Sequence, residues 1–315
     1  MRYPAPAEDR TPTPAAFAPT TMDEKLVTRR EALATTALAG LLLPMLGAAR
    51  SLGAEDPRPA PAAEPRLKLG IASYSLRKLP TDAAIAALQA MQVKYVSVFR
   101  THLPILLGSP DDCRAAALRF RSAGLTLTST GVVTLSNSET VMRKAFECGR
   151  AAGLATMTAS YEEHPDRETL LLTERFVREY DIRLAFHNHG PGDKAFPTPD
   201  DAWTAVQPYD PRLGLCIDVG HSARAGVDPT AAILKCRTRL YDVHLKDTRA
   251  AAGDTVDQPV ILGHGRLDIR SMMAALIQIR YPYQVGLEDE VAAADPVPGV
   301  AQSFGYMRGE LAALS

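Results

Sequence analysis

The chain after residue 66 is predicted to fold as a single (β/α)₈ TIM barrel, and three observations carry that expectation. Strand-like and helix-like segments alternate along about 250 residues, the usual length of one such barrel. In the later strands, polar or small residues share one face and large aliphatic residues share the other. Four consecutive strands close on chemistry-bearing residues: His187-Asn188-His189, Asp218-Val219-Gly220-His221, His244-Leu245-Lys246-Asp247 and Glu288-Asp289-Glu290. Side chains at the carboxyl ends of successive parallel strands converge on one spot.

Leu67 to Ser73 reads as the first strand, and Thr81 as the cap of an amphipathic helix beginning at Asp82. Tyr95 to Phe99 is the second strand, followed by a helix from Pro110 to Ala123 that Gly124 ends. Leu125 to Ser129 is the third. Ser138 caps a helix running to Ala152, Gly153 stops it, and Leu154 to Ala159 is the fourth strand. A helix from Pro165 to Tyr180 leads into the fifth, Ile182 to His187. Thr198-Pro199 opens the next helix, and Leu213 to Asp218 is the sixth strand. Asp228-Pro229 opens another, with Leu240 to His244 as the seventh strand. Asp268 caps a helix to Arg280, Gln284 to Glu288 is the eighth strand, and a closing helix follows Pro298. A doubly wound open sheet would gather its chemistry at one switch point, not on four consecutive strands, so the closed barrel is preferred.

The ends and the composition narrow the setting. Arg29-Arg30 ahead of a modest Ala- and Leu-rich run to Ala49 resembles a twin-arginine export signal over residues 1–54, and Pro44 interrupts the run. A Pro/Ala-rich stretch over 55–66 reads as a linker, which leaves 67–315 as the barrel. The expected location is therefore periplasmic, with no membrane partner once the signal is processed. A net charge of -1 argues against a polyanionic partner such as nucleic acid. Cys113, Cys148, Cys216 and Cys236 show no metal-finger spacing and are expected to be reduced packing residues.

Alternation places Asp242, His244 and Lys246 on one face of the seventh strand, with Val243 and Leu245 on the other. Ala185 and His187 align on the fifth, Gly214, Cys216 and Asp218 on the sixth, and Gln284, Gly286 and Glu288 on the eighth. His187, Asp218, His244 and Glu288 thus form a mixed nitrogen and oxygen set for one divalent ion, with Mn, Zn or Co favoured over Ca. Lys246 is expected to contact substrate, or else to pair with Asp247 at the rim. His189, His221 and Arg266 are the expected substrate-binding residues, Arg266 from the long loop after the seventh strand. Arg266 is also the one arginine near strands seven and eight that suits a phosphate, so an unphosphorylated substrate is favoured.

Asp218-Val219-Gly220-His221, His244-Leu245-Lys246-Asp247 and Leu287-Glu288 together resemble the xylose-isomerase-like TIM-barrel superfamily, which includes sugar phosphate isomerases and epimerases. The resemblance implies one metal held by residues of the fifth to eighth strands, the last three falling on Asp218, His244 and Glu288. Epimerases of that group carry Glu in the fifth-strand slot, where this chain has His187. A metal-dependent isomerase or epimerase acting on a sugar, polyol or keto-sugar through an enediolate is the leading expectation. Glu288 would be the base, His187 the partner acid or fourth ligand, and Lys246 the oxyanion contact. A sugar dehydratase or lyase on the same scaffold is the alternative, since one carboxylate is missing. A nuclease would need further His and Asp ligands, with His102 as one. A non-catalytic periplasmic sugar-binding barrel is the remaining alternative.

Overall fold

The computed structural model describes residues 66–250, 257–291 and 294–314. The expected export signal and nearly all of the expected linker lie outside the described residues. In chain order the strands are β1 (Lys68–Ala72), β2 (Tyr95–Val98), β3 (Thr126–Thr130), β4 (Val133–Leu135), β5 (Thr156–Tyr161), β6 (Arg183–His187), β7 (Leu213–Asp218) and β8 (Leu240–Leu245), then β9 (Asp247–Arg249), β10 (Gln258–Val260) and β11 (Gln284–Leu287). Nine of them form one parallel sheet in the order β3-β2-β1-β11-β8-β7-β6-β5-β4, while β9 and β10 pair antiparallel beside it. Because β1 pairs with both β2 and the last strand β11, the sheet curls into the predicted barrel.

The helices are α1 (Thr81–Ala90), α2 (Pro110–Ser122), α3 (Glu139–Ala151), α4 (Arg167–Tyr180), α5 (Pro199–Val206), α6 (Val219–Arg224), α7 (Pro229–Cys236), α8 (Ile269–Gln278) and α9 (Val297–Ala313). Leu184, Phe186, Ile217, Val243, Leu245 and Leu287 leave the strands on the outward face and are buried in one core with the helices. Among the described residues no helix is long and apolar enough to cross a membrane. All four cysteines are free and buried, as expected.

Local chemistry corrects three boundaries. Thr81 is the first residue of α1 and not its cap, since Pro80 holds the N-cap position without a side-chain hydrogen bond. α4 begins at Arg167, because Asp166 and not Pro165 supplies the cap by accepting the Thr169 N–H at 2.8 Å. α8 ends at Gln278, two residues short of Arg280, whose φ of 51° lies in the left-handed region.

The expected third strand is broken, and the break closes the barrel. β3 pairs with β2, and β4 pairs with β5, so two halves of one extended segment serve opposite neighbours. Gly131 sits at the bend, where a Cβ would come within 2.9 Å of the Phe99 Cα; a larger residue would force the strands apart. Below the bend, side chains replace the missing ladder. Thr130 Oγ1 accepts the Thr158 N–H at 3.0 Å and donates to the Thr158 carbonyl at 3.1 Å. Ser129 Oγ lies 2.8 Å from Thr158 Oγ1.

Candidate metal centre

Register brings the four expected ligands together. His187 is the last residue of β6, and Asp218, the last of β7, lies directly opposite His244 on β8. Glu288 follows β11, whose Gly286 is opposite His244. One ligand atom from each of His187, Asp218, His244 and Glu288 lies within 4.8 Å of the others. His187 Nε2 is 3.1 Å from His244 Nδ1 and 3.4 Å from Asp218 Oδ2, and His244 Nδ1 is 3.3 Å from Glu288 Oε1. Donor atoms about 2.0–2.1 Å from a tetrahedrally held ion stand about 3.3–3.4 Å apart, so these spacings fit such an ion. A second grouping, His187, Cys216 and His244, is also close. Burial pushes the Cys216 thiol up to about 12, and the quartet offers carboxylates where this set offers a protonated sulfur.

The surroundings fix the ligands from behind. Asp218 caps α6: its Oδ1 accepts the His221 N–H at 2.8 Å, which turns Oδ2 toward the centre. Asn188 ties β6 to β7, accepting the Asp218 N–H at 3.0 Å and donating to the Asp218 carbonyl at 3.3 Å and Ser222 Oγ at 3.1 Å. Both act as second supports that hold His187 and Asp218 in register.

Charge completes the fit. Lys246 Nζ lies 2.8 Å from Asp218 Oδ2, 2.9 Å from Glu288 Oε2 and 3.0 Å from Glu290 Oε1. Three carboxylates therefore face one ammonium; with His187 and His244 counted as neutral ligands, that is a surplus of two negative charges, which one divalent cation would cancel. Burial works to raise the Asp218 and Glu288 pKa values, but neighbouring positive groups, Lys246 among them, outweigh it and hold both well below the carboxylate range. Burial opposes charge on His244 too, yet Cys216 and Glu288 hold its pKa well above the usual histidine value. Burial lowers His187 to about 4, so it is a neutral imidazole with a free lone pair at ordinary pH.

A cavity of about 230 Å³ opens onto this centre. His187, His189, His221, Glu288 and Glu290 line it from the β6–β11 half of the barrel. Tyr74, Phe99, Arg100, Thr134 and Ser160 line it from the β1–β5 half. It is smaller than sites for drug-sized ligands, which start at about 300 Å³.

The remaining expected site residues divide. His189 and His221 reach the cavity; His189 Nδ1 is held by Asp193 Oδ2 at 2.9 Å, and burial lowers His221 to about 3. Lys246 is brought to the centre, where its Nζ meets three carboxylates and lies 3.5 Å from His221 Nε2, and it is not among the residues that line the cavity. It does not pair with Asp247, which instead accepts backbone N–H groups of Thr248, Gly263, Gly265 and Leu267 and so shapes the following loop. Arg266 is not brought to the cavity: its guanidinium pairs with Asp257 and reaches the Ala223 carbonyl. His102 has both ring nitrogens engaged, with Ser73 Oγ and the Leu79 carbonyl each at 3.0 Å, and supplies no further ligand.

Glu290 and Arg100 were not among the expected site residues. Glu290 shares the parity of Glu288, and that alternation could have found it. Arg100 follows β2 in a turn, where no periodicity signals direction.

With the barrel and this centre in place, the chain belongs to the xylose isomerase-like TIM barrel family, whose sequence model matches residues 75–309. Over 123 residues it is 31% identical to the rhizopine catabolism protein MocC of Rhizobium meliloti, a match that takes in 35% of this chain and 37% of that protein. The fold is similar to that of the IOLI protein solved with a bound zinc atom, at a TM-score of 0.64 and 16% identity over 79% of this chain and 99% of that one. It is also similar to the probable 3-DHS dehydratase AsbF of Bacillus anthracis, at a TM-score of 0.62 and 12% identity over 77% and 99%. A xylose isomerase domain protein of Planctomyces limnophilus matches with a TM-score of 0.62 and 15% identity over 78% and 97%.

Proposed function

We propose that the chain is a metal-dependent isomerase or epimerase acting on a small carbohydrate through an enediolate, exported to the periplasm by the twin-arginine route. The observation that carries this is the buried quartet with its surplus of two negative charges, opening onto a polar cavity of about 230 Å³. His187, Asp218, His244 and Glu288 hold the ion, with Mn, Zn or Co suited to this donor set. When bound, the ion supplies Lewis-acid polarisation of a carbonyl and its neighbouring hydroxyl. The zinc in the IOLI protein supports the same use of the fold.

The protein's own groups then share the proton work. Glu288 faces the cavity and takes the proton beside the carbonyl. His187 is kept neutral by burial, which suits a ligand and not an acid. His189, with Nδ1 2.9 Å from Asp193 Oδ2, returns the proton, and His221, whose Nδ1 accepts from Arg224, offers its Nε2–H to a substrate oxygen. Lys246 keeps Glu288 ionised and holds Glu290 in place. Glu290 restores a second carboxylate to the cavity, which favours isomerisation over the dehydratase reading that its absence had supported.

The test is elemental analysis of the full chain from metal-replete expression, beside His187→Ala. About one Mn, Zn or Co per chain is expected, lost or weakened in the variant. Ketoses and 3-keto sugars are then incubated in deuterated water. Deuterium at the carbon beside the carbonyl supports the isomerase; an unsaturated product would move the assignment to a lyase. Metal-free protein would overturn both and leave a sugar-binding barrel.

A further inference from the structure

We propose that the substrate is an acidic sugar, its carboxylate or phosphate paired with Arg100 in the cavity onto which the candidate metal centre opens. This rests on the carbohydrate reading above. Arg100 follows β2, which only β1 separates from β11 in the sheet, and it lines the same cavity as Glu288 and Glu290. Among the described residues no carboxylate pairs with it. Its guanidinium lies over the Phe99 ring, 5.3 Å from the centroid, and Phe99 in turn meets Tyr74 edge-on at 4.8 Å. The stack fixes the guanidinium plane while leaving its N–H edge free for a bidentate oxyanion.

The contrast with the other cations is what gives Arg100 weight. Lys246 is engaged by three carboxylates and is not among the residues that line the cavity. Arg266, the expected anion contact, is already paired with Asp257. Arg100 is thus the formal positive charge that the lining offers a ligand. The Tyr74 and Phe99 rings line the same cavity, suited to the apolar face of a sugar ring.

The experiment titrates metal-loaded full chain with D-glucose, D-glucuronate and D-glucose 6-phosphate by calorimetry. At least one acid is expected to bind about tenfold more tightly than glucose, and which acid does so tells carboxylate from phosphate. Arg100→Ala should erase that preference while leaving glucose affinity within about twofold. Arg100→Lys should restore part of it, since charge returns without the planar fork. Equal binding of all three sugars, an acid preference that survives Arg100→Ala, or no binding of any sugar to protein that holds its metal would overturn this inference alone. Absence of metal is the separate result that removes the reading beneath it.

Discussion

Strand β7 has an aspartate just ahead of its start and another at its end, and each stands in a cluster of three carboxylates. At the amino end, Asp210, Glu174 and Asp181 face two guanidinium groups. Arg178 Nε donates to Asp210 Oδ2 at 2.9 Å, and Arg212 donates to Asp210 through its backbone N–H at 2.9 Å and to Asp181 at 2.8 Å. Glu174 accepts from the Asp210 N–H at 2.7 Å and from Arg178 at 3.0 Å. At the carboxyl end, Asp218, Glu288 and Glu290 share the one ammonium of Lys246, and the donors His187 Nε2 and His244 Nδ1 stand 3.4 Å from Asp218 and 3.3 Å from Glu288. The first cluster satisfies itself, and the second, on the function proposed above, is completed by an added cation. Buried polar groups that close on each other hold a fold together; those left with surplus charge wait for a ligand.

The sharpest way to break this comparison is to remove the one resident cation. Lys246→Met leaves three carboxylates of the centre without a counter-charge, and a buried pair broken on one side costs about 3–5 kcal/mol. Urea unfolding in the presence of a chelator should show that loss. The same variant unfolded with excess divalent metal should recover much of it. Equal loss with and without metal would mean that Lys246 serves packing, and the charge surplus would carry no meaning.

How much of this was legible beforehand follows the same division. The outward aliphatics and the inward quartet obey the two-residue alternation of a strand, so the barrel and its four converging ligands could be read from the chain. Lys246 has the right parity, but its partners Asp218, Glu288 and Glu290 arrive from β7 and the end of β11, and alternation says nothing about which carboxylates meet it. Arg266 and Arg100 lie in irregular segments, where neither direction nor pairing has a periodic signal; one was expected at the site and the other was not. The break after β3 is set by Phe99 crowding Gly131 from the end of β2, a close approach that local sequence does not encode.

A smaller effect comes from filling the centre. Metal that binds only the folded chain should stabilise it by about 2.7 kcal/mol when its free concentration is about 100 times the dissociation constant. Chelator should therefore lower the melting temperature of the wild type. Asp218→Asn should blunt the response, and Asp210→Asn should leave it intact. A chelator response lost equally in both variants would dissolve the distinction between the two ends of β7.

The smallest effect belongs to the self-satisfied end and has a defined sign with pH. Burial tends to raise the Asp210 pKa, but the Arg212 N–H and the Arg178 and Arg212 guanidinium groups outweigh it and depress the value. A carboxylate depressed on folding contributes stability that is present above its unfolded pKa, about 3.9, and is lost as pH falls through the folded value. Asp210→Asn should accordingly cost about 1–2 kcal/mol near neutrality, since charged hydrogen-bond partners lose their acceptor. In urea titrations the gap between wild type and variant should close as the pH drops below about 3.9. A gap that stays constant into acid would show that Asp210 acts through its backbone-capping geometry and not its charge.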